Sequence, residues 1–126
     1  RAMANDARAW LDRYFEAWRT NDPGLVAALF AEDALYAVDP FAPPWKGRRE
    51  IVERWTAGAG QLVGHRFQIL SMDFPTVAHW WVEVGEVDGT TIEMDGILVL
   101  EFNDSGECTS HREWYSIHRN PQPSDE

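Results

Sequence analysis

The hydrophobic period of the chain changes once, near Gly64, and that change bounds the fold more tightly than any single motif. Before it, apolar residues recur at spacings of three and four. Trp10, Leu11, Tyr14, Phe15 and Trp18 predict an amphipathic helix over 6–20 with Asp6 as its cap. Asn21-Asp22-Pro23-Gly24 stops that helix and starts a second, which buries Leu25, Val26, Leu29 and Phe30. A short strand is expected over 34–38, a Pro-rich loop over 41–47, and a third helix over 48–57 that buries Ile51, Val52 and Trp55. After Gly64 the period is two. Strands are expected near 64–73, 76–87, 90–102 and 107–118, separated by Pro75, Asp88-Gly89 and Asn103-Asp104-Ser105-Gly106. Three helices followed by an antiparallel meander is an α+β arrangement. With 126 residues the expectation is one domain over 1–126, its core at about 6–118 and a loose tail at 119–126.

Charge narrows the partners. The chain carries 21 acidic against 11 basic residues, a formal net charge of −10, which repels phosphate backbones and anionic lipid. No nucleic acid and no membrane partner is expected, and no apolar run approaches the roughly 18 residues that cross a bilayer. The single cysteine, Cys108, cannot form an internal disulfide or a Cys-based zinc site and fits a reducing compartment, so a cytoplasmic protein is expected. No Walker loop, dinucleotide fingerprint or serine nucleophile elbow is present. The His and carboxylate residues show no tight ligand spacing, so no cofactor and no metal is expected.

What stands out is aromatic content: 7 Trp, 6 Phe and 3 Tyr exceed what a core of this size needs, and surplus aromatic surface usually lines something. On the 76–87 strand one face holds Ala78, Trp80, Val82 and Val84, the other His79, Trp81 and Glu83. On 107–118 one face holds His111, Glu113 and Tyr115, the other Cys108, Arg112 and Trp114. Each strand thus has a face pairing one His and one Glu with aromatics. Such faces either converge on a cavity or look into water, and alternation leaves both open.

The segments ALFAEDALYAVDPF (Ala28 to Phe41), PWKGRREIVERW (Pro44 to Trp55), YFEAWRTNDPGLVAALF (Tyr14 to Phe30) and HREWY (His111 to Tyr115) together resemble the SnoaL-like branch of the nuclear transport factor 2-like superfamily, over about 6–118. The resemblance implies a cone: three N-terminal helices packed on a strongly curved antiparallel sheet, an α+β barrel with a pocket between them. It implies a small, largely apolar or cyclic ligand, and cofactor-free isomerase, cyclase, dehydratase or hydrolase chemistry. The alternative is a non-catalytic ligand-binding or dimerisation module, because this fold hosts many functions. In ketosteroid isomerase an Asp base works with a Tyr and a protonated Asp. Asp39 of Asp39-Pro40 matches the base and Tyr14 the Tyr, while Leu98 falls where the second Asp would be and Asp95 lies on the opposite face.

The same resemblance puts His79, Trp81 and Glu83, and His111, Glu113 and Tyr115, on the pocket side. Asp39, His79, His111 and Glu113 are the expected catalytic set, and Tyr14, Trp18, Trp55, Trp81, Glu83 and Tyr115 the expected ligand contacts. Trp45 is expected over the mouth. Trp80 and Trp114 are expected on the convex face, where the family commonly forms a homodimer.

Overall fold

The computed structural model describes residues 4–58 and 60–120, with side chains from Asp6 onward. Helix α1 (Ala4–Thr20) buries Ala7, Trp10, Leu11, Tyr14, Phe15 and Ala17, the stripe that the three-and-four spacing predicts. It ends at Asn21, which takes a left-handed φ of 53° and returns its N–H to Ala17 O at 2.8 Å. Asp22 then caps α2 (Pro23–Leu29): its Oδ1 accepts the Gly24 N–H at 2.8 Å, and Pro23 takes a first-turn position where no N–H is needed.

The second helix runs directly into β1 (Phe30–Ala37). A two-residue strand, β2 (Trp45–Lys46), pairs with it, and α3 (Arg48–Gly58) follows, burying Ile51 and Trp55. The second half is β3 (Gln61–Ser71), β4 (Thr76–Gly85), β5 (Thr91–Phe102) and β6 (Cys108–Arg119), joined antiparallel in sequence. Gly89 and Gly106, at φ of 85° and 81°, turn two of these hairpins in a region that L side chains rarely adopt. The order across the sheet is β2-β1-β6-β5-β4-β3. Because β1 lies parallel to β6, the sheet is mixed rather than wholly antiparallel, and it is not closed: β2 and β3 are free edges. Arg119 ends β6 and the Asn120 N–H bonds Thr91 O at 3.0 Å, so the order extends past the expected core; the rest of the expected tail, 121–126, lies outside the described residues.

The helices cover one face of the sheet, and the strand phases follow. On β4 the face that meets them is Ala78, Trp80, Val82 and Val84, all buried, Trp80 to 2% exposure. That reverses the expectation for Trp80, which packs on Trp18 and Tyr115, and it turns His79, Trp81 and Glu83 to the outer face. The physical reason is transfer energy: the more apolar face of β4 goes to the core, at roughly 25 cal/mol per Å² buried. On β6 the expected phase holds for position, with His111 and Glu113 buried and Trp114 46% exposed outside. Cys108, expected outside, is buried against the core, because an irregularity between Glu101 and Phe102 shifts the β5–β6 register there.

Candidate functional site

Between the helices and the inner face lies a cavity of about 1040 Å³. Its inner end is formed by Tyr14, Trp18, Tyr36, Trp55, Glu113 and Tyr115, with Trp45 beside Tyr36. Arg54, Gly60, Gln61, Glu86 and Asp88 belong to the segments at its rim. Tyr14 and Trp18 come from successive turns of α1 and Trp55 from α3, so the helical spacing that builds the core also aims these rings at the sheet.

The chemistry concentrates around Glu113. Its carboxyl is 9% exposed, and Oε1 has no hydrogen-bond partner. Desolvation by burial pushes it up to about 8, with the neighbouring Tyr36 hydroxyl pulling the other way, so at neutral pH it is a carboxylic acid. His111 is fully buried with neither ring nitrogen hydrogen-bonded, and burial lowers it to about 3, keeping the imidazole neutral. Nδ1 of His111 stands 3.7 Å from Glu113 Oε1. That is too long for a hydrogen bond, and with both groups neutral it is a contact, not an ion pair.

Aromatic stacking holds this pair in place. The His111 ring lies 3.9 Å from that of Tyr36 at 9°, and Trp45 covers the other face of Tyr36 at 4.8 Å and 13°. Tyr14 flanks His111 at 5.5 Å, and its hydroxyl is 3.3 Å from that of Tyr36. Both phenols are raised well above their ordinary range, first by burial and then by the Glu113 carboxyl. The arrangement is therefore a set of neutral hydrogen-bonding groups in an aromatic setting, able to donate to an acceptor oxygen but carrying no fixed charge at neutral pH.

The remaining expected site residues lie elsewhere. His79 Nε2 meets Asp95 Oδ1 at 2.6 Å on the outer face, and Trp81 Nε1 donates to Glu93 Oε1 at 2.9 Å there, with Arg66 stacked 4.1 Å over its ring. Glu83 shares that face. None of the three lines the cavity, which corrects their expected placement. Asp95 stays outside because β5 pairs regularly with β4 through Gly96, and Leu98 is fully buried on the inner face. Asp39 is exposed and its Oδ1 accepts the Phe41 N–H at 2.8 Å, an Asx turn; Phe41 is itself 97% exposed and walls nothing. The Asp39 charge nevertheless acts on Tyr115, raising it after burial and Glu113.

Sequence reasoning does not single out Tyr36, although the short alternation of Ala34 and Tyr36 in β1, with Val38 just past its end, carries the signal. Among the described residues, no three His, Cys, Asp or Glu side chains come together as metal ligands. No helix there is long and apolar enough to cross a membrane.

The family model of the SnoaL-like domain matches residues 11–111. The chain belongs to the SnoaL-like domain family, within the nuclear transport factor 2-like superfamily, whose cone-shaped α+β fold is the one described above. Such domains bind small molecules. No curated protein gives a significant match.

Proposed function

We propose that the cavity binds a small, largely apolar cyclic molecule carrying a carbonyl or similar acceptor oxygen, and that the protein performs cofactor-free acid–base chemistry on it. The observation that carries this reading is Glu113, a protonated carboxyl with an unpaired oxygen at the wall of an aromatic cavity. A buried group of this kind costs stability unless something uses it. Glu113 donates to the ligand's oxygen and stabilises negative charge that develops when a neighbouring C–H proton leaves. Tyr36 and His111 act as positioning residues through their stack, and Tyr14 through its hydroxyl contact. Asp39 is the base in this reading, carried over from the sequence match; it stands just after β1, outside the cavity lining.

The test uses 1-tetralone in D2O, with exchange of its α-protons followed by NMR. Acceleration by the wild type, lost by about 100-fold in Glu113→Gln and in Asp39→Asn, is the expected result. Equal exchange in Glu113→Gln contradicts it. The Asx turn and exposure of Asp39 favour a second reading, a binding module without turnover. Saturable tetralone binding with no exchange selects that one.

A further inference from the structure

Among the described residues lining the cavity, Arg54 is the one Lys or Arg. It is exposed on α3, one residue before Trp55. Elsewhere the arginines of this acidic chain are mostly engaged: Arg48 holds Glu107 at 3.0 Å, Arg119 holds Glu86 at 3.0 Å, and Arg66 lies over Trp81. Arg54 has no hydrogen bond, ion pair or ring contact of this kind among the described residues, although the chain carries 21 acidic residues. The two carboxylates that line the cavity near its rim are already committed. Glu86 is held by Arg119, and Asp88 Oδ1 accepts the Thr90 N–H at 3.0 Å and its hydroxyl as well.

We infer that the ligand is an organic acid: an apolar ring system lying against the cavity-lining Trp18 and Tyr115 rings, with a carboxylate that the Arg54 guanidinium takes at the rim. The inference rests on the small-molecule reading above and names the ligand class more narrowly. The inner end of the cavity supports it separately. With Glu113 protonated, the inner end carries no fixed charge and suits the apolar ring, while the carboxylate stays at the rim with Arg54. A guanidinium is also suited to a carboxylate, which it can engage through two parallel N–H donors.

The probes are 2-naphthoate and its uncharged shape-mate 2-naphthamide, titrated calorimetrically at pH 7 into wild type and Arg54→Gln. Because Arg54 is exposed, its replacement leaves the core intact. The wild type is expected to hold naphthoate about tenfold more tightly than naphthamide, and Arg54→Gln to erase that preference while naphthamide binds as before. Wild type binding both equally, or Arg54→Gln keeping the preference, overturns the inference and leaves the small-molecule reading standing. Neither probe binding overturns both.

Discussion

Oε1 of Glu113 stands 3.7 Å from Nδ1 of His111, and neither atom has a hydrogen bond. Ordinary groups at that distance would exchange a proton and attract. Here burial acts on both in the neutral direction, raising the acid to about 8 and lowering the imidazole to about 3. The two groups therefore enter the pH dependence of stability with opposite signs.

Glu113 has its ordinary value at 4.5 and its folded one near 8, so its contribution is fully present below pH 4.5 and is lost as pH rises through 8. His111 has 6.5 and about 3, so its contribution is present above pH 6.5 and lost as pH falls through 3. Between 4.5 and 6.5 the two slopes cancel. Above 6.5 Glu113 acts alone, and stability should fall by about 1.4 kcal/mol per pH unit until near 8. Urea melts from pH 5 to 9 measure this slope, and Glu113→Gln should flatten it. A wild type as stable at pH 8.5 as at 6 contradicts the account.

The Tyr14–Tyr36 hydroxyl contact gives a second expectation. Tyr36→Phe removes both that bond and the hydroxyl that favours the Glu113 carboxylate, so the variant should lose about 1 kcal/mol and titrate Glu113 higher than the wild type. Tyr14→Phe should cost a similar amount, and the double variant less than the sum. Chemical denaturation of all three decides it, and strict additivity counts against the contact.

Gly96 sits where the inner face is tightest. A Cβ there would lie 2.2 Å from Trp114 O, 2.8 Å from Tyr115 Cβ and 3.0 Å from the Trp80 ring. The backbone contact cannot yield as a side-chain tip can, so Gly96→Ala should destabilise by about 2–3 kcal/mol or more. A thermal melt within 2 °C of wild type would show that Trp80 does not pack under Gly96.

Outer-face residues Ile97 and Trp114 are register partners, as are Val77 and Val99, with His79 and Arg112 completing the same two rows. We expect two copies to associate through this face, so Trp114→Glu should sediment as a monomer where the wild type sediments as a dimer. A monomeric wild type at 100 μM rejects this surface as a self-interface.

The helices were readable in the sequence because their signals are local: Asp22 next to Pro23, and aromatics spaced along one α1 stripe. The phase of β6 was readable too, since His111, Glu113 and Tyr115 stand on one side of an alternation. On β4 the polar residues His79 and Glu83 stand on the outer face, because burial favours the face without charged or imidazole side chains, Ala78, Trp80, Val82 and Val84. Cys108 faces the core against the two-residue alternation because a register shift of the β5–β6 pair interrupts the period there. The parallel β1–β6 pairing is non-local and leaves no mark in either strand alone, and with it Tyr36 meets His111.

The state of the Glu113 carboxyl is the central claim, because donor chemistry, pH-dependent stability and an inner end suited to an apolar ring all follow from it. Carbon-13 NMR of protein labelled at glutamate side-chain carboxyls reads it directly, with Glu113→Gln identifying the resonance. A midpoint near 8 is predicted for Glu113. A midpoint at the ordinary carboxyl value of 4.5 would contradict the account.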